Sequence, residues 1–236
     1  MAGRSDAVLD SRYATMVRSG VDLAAAATWD SRLSRRTRIL VPADVQAFVV
    51  PRTGGEPTVP VTGGPGDPAP FTAGTARPAG VHLHWAMPDA LLSGRHDRAA
   101  AALALPALPD RWVVVRTLQP TGVRVIQARG WVVDAVTGSV SPLETYRGTM
   151  PPAPAGTPVL EPLDGAAGGS LMWTASYTAS AGRFGFHDPL ADLPAGSRFE
   201  ADQAVYTVAG WWSDLGADPL AAARGPGQLD RRLAEL

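Results

Sequence analysis

Two histidines stand two residues apart in the stretch GVHLHWAMPD, at His82 and His84, and a carboxylate follows at Asp89. Alternate side chains of a β-strand face the same side, and a rise of ~3.3 Å per residue sets the two imidazoles ~7 Å apart. From there both can reach one transition-metal ion, for which neutral imidazole is a common ligand. Asp89 would add an oxygen donor. The same residues also have a structural use. One histidine can hydrogen-bond a backbone group inside a buried strand, and Asp89, beside Pro88, can cap the turn that follows. Only four histidines occur in the chain, so a metal site would leave little for acid–base work. The structural use is the expectation, with no cofactor required and a transition metal as the alternative.

The aromatic residues offer a second kind of chemistry. Seven tryptophans are present: Trp29, Trp85, Trp112, Trp131, Trp173, Trp211 and Trp212. Five sit inside apolar β-like runs and read as core. Trp211 and Trp212 are adjacent, so on a strand they face opposite sides, and one of them is expected at the surface. Trp211, Trp212 and the nearby Asp214 are therefore candidate contacts for a carbohydrate or a protein partner. The other two histidines are read more simply. His96, in GRHDR, reads as a solvated helix start, and His187, in FHDP, as a turn residue with Asp188 as its hydrogen-bonding partner. Arg32, Arg35, Arg36 and Arg38 form a basic cluster without interleaved aromatics, which reads as a solvated flank and not a nucleic-acid surface.

Composition removes several functions. There is no cysteine, which excludes thiolate nucleophiles, disulfides and cysteine-ligated metals. There is no lysine either: all 21 basic residues are arginine, which removes Schiff-base chemistry and a P-loop lysine. The formal net charge of -1 provides no global field for nucleic acid or anionic lipid. No nucleophile elbow, zinc-protease helix motif, dinucleotide fingerprint or EF-hand loop is present. The longest apolar runs are broken by proline, so no membrane span is expected, and the N-terminal stretch lacks the apolar core of a secretory signal. These features predict a cytoplasmic protein, or one exported without a classical signal peptide.

The elements that must position these residues are mostly strands. Residues 1–37 read as an arm or a short helix, with VDLAAAATW near helical spacing. RILVPADVQAFVV, Arg38 to Val50, is β-like, and Pro42 makes it an edge or splits it. Residues 51–80 form a long Pro/Gly-rich loop with one short strand near Thr58. VHLHW is a strand, MPDALLSG a short helix or turn, and RHDRAAAALAL a short alanine-rich helix. RWVVVRT, VRVIQ and WVVDA, joined by LQPTG and ARG, predict an antiparallel meander over 111–140. In RWVVVRT, Trp112, Val114 and Arg116 share one face while Val113, Val115 and Thr117 share the other. Both faces are largely apolar, so the strand is expected to be central. LMWTASYTAS and AVYTVAGWW are further strands, separated by a loop with a turn at HDP. Leu229, Leu233 and Leu236 place an apolar stripe on a helix over 217–236. That stripe is expected to bury against this domain or against a further part of a longer protein. The prediction is therefore a mainly β domain over 38–216, an antiparallel sandwich or barrel with long Pro/Gly loops and a few short helices.

Two resemblances bear on function. The spacing H-x-H-x4-D resembles the first metal motif of the cupin family, a double-sheet jelly roll, which would make His82, His84 and Asp89 metal ligands. The chain departs from that pattern: the carboxylate is Asp in place of Glu, Ala76 replaces the leading glycine, and no histidine follows a later P-x-G. Four other segments, RILVPADVQAFVV, GVHLHWAMPDAL, LPDRWVVVR and VYTVAGWWSDLGADPL, resemble the N-terminal part of large bacterial proteins associated with phage-tail-like contractile injection loci. That resemblance spans roughly residues 38–220. It implies a non-catalytic structural or interaction module of a larger secreted or assembled protein, with a protein partner or the rest of a longer chain as its contact. The rivals are a cupin-like metal-dependent enzyme and a carbohydrate-binding β-sandwich.

Overall fold

The computed structural model describes residues 3–28, 41–50, 58–60, 76–86, 95–97, 102–104, 107–119, 125–152, 155, 184–193, 204–214, 216–218, 227–228 and 231. One long helix, α1 (Gly3–Thr28), precedes β1 (Val41–Pro42), β2 (Asp44–Val50), β3 (Thr58–Pro60), β4 (Ala76–Pro78), β5 (Gly80–Ala86) and β6 (Arg95–Asp97). Then follow β7 (Ala102–Ala104), β8 (Arg111–Leu118), β9 (Gln127–Asp134), β10 (Val140–Pro142), β11 (Gly185–Asp188) and β12 (Ala204–Trp211). The protein is mainly β. A five-stranded antiparallel sheet has the order β1-β12-β8-β9-β10, and a three-stranded one the order β11-β5-β2. Two small hairpins, β3-β4 and β6-β7, stand outside them. Neither main sheet closes into a barrel.

Strand β8 is central, as its double apolar pattern predicts. Trp112 and Val114 face the three-stranded sheet and share a core with Val81, Leu83, Trp85 and Phe186. Val113 and Val115 face the other way and pack with Val132, Ala209, Trp211 and Ala24 of α1. The result is three layers: helix, five-stranded sheet, three-stranded sheet. The helix belongs to the fold: Met16 and Ala24 are buried, and the Thr117 hydroxyl donates to the Met16 carbonyl at 3.1 Å. It is also far longer than the arm or short helix expected over 1–37.

Pro42 splits the 38–50 segment as expected, and the split has a further consequence. Val41 and Pro42 pair with Gly210 and Ala209 of β12, whereas Asp44 to Val50 pair with β5. The chain thus changes sheets at Ala43, just after the residue that lacks an amide hydrogen to continue the first ladder.

Three expectations need correction. Segment 95–104 holds the paired strands β6 and β7 where a helix was expected. Alanine's helix preference is a weak prior, and cross-strand pairing overrides it. Residues 185–188 are a strand, not loop, because they pair with Val81 to His84 of β5. The ARG expected as a turn lies inside β9: Gly130 supports close approach there, since a Cβ at that position would come within 2.5 Å of the Leu143 side chain. The segments MPDALLSG and LMWTASYTAS, the Leu229–Leu233–Leu236 stripe and most of the long Pro/Gly-rich stretches lie outside the described residues. Among the described residues no helix is long and apolar enough to cross a membrane.

Candidate functional site

His82 and His84 do share one face of a strand, β5, and both are buried, at 1% and 2% exposure. Register decides their neighbours. His82 lies opposite Phe48 on β2 and opposite His187 on β11. The His82 and His187 rings stack, with centroids 4.4 Å apart and planes 11° from parallel. His82 Nε2 is 2.8 Å from the Pro78 carbonyl oxygen, and His187 Nε2 is 3.1 Å from that of Ala79. A carbonyl can only accept, so each Nε2 carries its proton and donates. The two imidazoles thereby hold successive carbonyls of the bend that leads into β5. Gly80 makes the bend possible with a φ of 136°, a region that side-chain-bearing residues rarely enter.

His187 is thus a strand residue stacked on His82, not a turn residue. His96 is exposed on β6 and not at a helix start. Asp89 and the Arg32–Arg38 cluster lie outside the described residues. Among the described residues no three His, Asp or Glu side chains gather as a set that could hold a metal ion.

The tryptophan pair points to opposite faces as alternation requires, yet neither ring is at the surface: Trp211 and Trp212 are each 2% exposed. Trp211 packs edge-on against Tyr146, at 6.4 Å between centroids, in the helix-side core. Trp212 belongs to the inter-sheet core, and its indole N–H donates to the Ala107 carbonyl at 2.9 Å. The expected exposed ring is absent because both faces of the sheet are covered. Asp214 is exposed and accepts from the Gly216 amide at 2.8 Å, which makes it a local turn residue.

The densest polar cluster was not anticipated as a site. Arg116, on β8, lies opposite Tyr206 of β12 and Arg129 of β9. It faces the three-stranded sheet, where its Nη1 reaches Asp188 Oδ2 at 2.6 Å. The same carboxylate oxygen accepts from the Tyr206 hydroxyl at 2.9 Å, and its Oδ1 accepts from the Leu190 amide at 2.9 Å. Arg116 Nη2 donates to Asp192, which Arg129 also approaches at 3.3 Å. The Trp131 ring lies 5.6 Å from each guanidinium carbon. Burial disfavours the Arg116 charge, but Asp188 and Asp192 more than restore it and hold the guanidinium above its ordinary pKa. Burial likewise works against the Asp192 charge, and the Arg116 hydrogen bond, the Arg116 and Arg129 charges and a backbone hydrogen bond together outweigh it, so that carboxyl stays below the usual range. Burial and then the adjacent Asp188 charge push the Tyr206 phenol well up. The available signal was Arg116 itself, an arginine on an otherwise apolar face.

A second cluster ties the meander to the chain after β12. Asp110 accepts from the Ser213 amide at 2.7 Å and from its hydroxyl, while Arg111 Nη1 sits 3.2 Å from Asp110 and 3.0 Å from Asp134. Its partners are backbone and side chains of adjacent loops, so it reads as a loop clasp. Comparison of the chain with protein-family models, with curated proteins and with solved structures finds no match.

Proposed function

We propose that this protein is a non-catalytic β-sandwich module that docks to other parts of a larger, phage-tail-like assembly. The carrying observation is how its chemically capable side chains are engaged. Arg116, Asp188 and Tyr206 join one sheet to the other, and His82 and His187 hold carbonyls of the bend at 78–79. Such engagement suits a rigid scaffold. The contact surface of this reading lies on α1, where Val17 and Val21, one turn apart, are exposed beside the face that packs on β8 and β12. The carbohydrate-binding alternative loses its motive, since neither Trp211 nor Trp212 offers an exposed ring.

Two measurements test this reading. Protein purified without chelators should hold well under one equivalent of any transition metal, and the His82→Ala/His84→Ala variant should melt at a lower temperature. Near one equivalent of metal, lost in that variant, would overturn the proposal in favour of a metalloprotein. For docking, Val17→Arg/Val21→Arg should leave the melting temperature unchanged and abolish co-sedimentation with the large particle in host extracts. Retained co-sedimentation would remove α1 as the contact.

A further inference from the structure

Arg116 and Arg129 stand directly opposite one another on neighbouring strands, which brings two like charges to one point of the sheet face. Directly opposed like charges are destabilising unless an anion lies between them. Here the anion is Asp192. Its carboxylate accepts from Arg116 Nη2 and lies 3.3 Å from Arg129 Nη1. The two arginines differ in how firmly they are held. Arg116 is buried, and its inward Nη1 is committed to Asp188. Arg129 has a 40% exposed side chain, and Asp192 a 28% exposed one, so the clamp opens to solvent at this end. The Trp131 ring centroid lies 5.6 Å from both guanidinium carbons, so each arginine also makes a cation–π contact that does not involve Asp192.

The segment that delivers Asp192 is not relaxed. Leu190 is the one non-glycine residue at positive φ among the described residues, at 53°, and the Asp188 carboxylate holds its amide there. Such a conformation is unfavourable for a side-chain-bearing residue and persists only where its surroundings impose it. Asp188 holds both this turn and the inner side of Arg116, so Asp192 can leave the clamp without either contact being broken.

We infer that the Arg116–Arg129 pair is a carboxylate-binding clamp, filled here by Asp192 as an internal stand-in, and that its ligand is an aspartate or glutamate side chain of a docking partner. The exchange is one carboxylate for another, so the charge of the cluster is unchanged. Two guanidiniums fit a planar carboxylate better than a chloride, because each offers paired, fixed N–H donors. The identity of the ligand's source rests on the docking role proposed above; the clamp itself does not.

Thermal melting with added carboxylate tests both parts. Asp192→Ala should melt below the parent chain, and acetate should raise its melting temperature saturably by roughly 2–4 °C against chloride of equal ionic strength. The parent chain should require at least roughly tenfold more acetate for the same rise, because Asp192 competes at an effective concentration in the millimolar range. Asp192→Ala/Arg129→Gln should show no rise. No acetate-specific rise in Asp192→Ala, or an equal rise in all three proteins, would overturn the clamp. If Asp192→Ala does not fold, Asp192→Asn serves in its place, since it removes the charge and keeps the volume. An acetylated and amidated Gly-Asp-Gly peptide should saturate Asp192→Ala at lower concentration than acetate. Saturation at equal or higher concentration would overturn the partner assignment and leave a site for free small carboxylates. Neither result depends on the metal content or the α1 variants, so failure here is distinguishable from failure of the docking proposal.

Discussion

Asp188 and Arg116 meet at 2.6 Å across the gap between the two sheets, 72 positions apart in the chain and both almost wholly buried. Each would be costly to bury alone, and the pair persists because every oxygen of the carboxylate is engaged: Oδ2 by Arg116 and Tyr206, Oδ1 by the Leu190 amide. Losing one partner strands the other charge. Arg116→Met is expected to destabilise by about 3–5 kcal/mol in denaturant titration. Arg116→Met/Asp188→Asn should cost less than the sum of the single variants, since the amide oxygen still accepts from Leu190, the amide NH2 donates to the Tyr206 hydroxyl oxygen, and neither half of the pair is left as an unpaired charge. An additive result would mean that the two side chains do not interact across the gap.

The same network sets a pH profile. Asp192 is held below the usual carboxylate range, so its folded form binds a proton less readily than the unfolded chain does. Its contribution is present above the unfolded pKa of about 4 and is lost as pH falls through the lower folded value. Tyr206 is shifted the opposite way, upward, so its contribution is full below the unfolded pKa of about 10 and is lost as pH rises toward the folded value. Stability against denaturant should therefore fall below about pH 4 and above about pH 10. Asp192→Asn should flatten the acid limb and Tyr206→Phe the alkaline one. Unchanged limbs in these variants would assign the pH dependence to other groups.

Gly80 lies where the chain must turn beneath the stacked histidines. Its φ of 136° disfavours any side chain, and a Cβ there would strike the Asp188 carbonyl oxygen and come within 2.8 Å of His187 Nε2. A carbonyl in a paired strand cannot step aside. Gly80→Ala is expected to lower stability by more than about 1–3 kcal/mol, the cost of the backbone conformation alone. Calorimetry of this variant beside His187→Ala separates the two effects, because His187→Ala loses one hydrogen bond and a ring contact and leaves the backbone unstrained.

What the sequence discloses depends on how local the cause is. Strand β8 is legible because its alternation, with Trp112, Val114 and Arg116 on one face, is a property of eight consecutive residues. The common face of His82 and His84 is legible for the same reason. Their neighbour is not: that His187 stacks on His82 follows from the register of β11, a four-residue strand whose glycine hides it. Likewise Arg116 stands out on an apolar face, but its partners Asp188 and Asp192 lie 72 and 76 positions away. The opposite orientations of Trp211 and Trp212 are a local fact. Their burial is not, because it depends on a helix layer on one side and a second sheet on the other. Helix α1 is under-read because the side it buries is made of small residues such as Gly20 and Ala24, which give no apolar stripe.

The tryptophans allow one more test, which turns on hydrogen bonding and not on size. Trp85 and Trp112 bury their indole N–H groups without an acceptor among the described residues, and their rings meet at 5.7 Å. The Trp212 N–H instead donates to the Ala107 carbonyl. A buried donor left unmade costs about 1–3 kcal/mol, whereas an average hydrogen bond contributes about 1 kcal/mol. Replacement by Phe removes similar volume from each site. At Trp85 it also removes an unsatisfied donor, and at Trp212 it removes a satisfied one. Trp85→Phe should therefore be the milder change, by about 2 kcal/mol or more when these two effects are added. Urea titration of the two variants decides it: equal losses would mean that cavity formation alone governs both sites, and that the orphaned N–H of Trp85 carries no energetic cost.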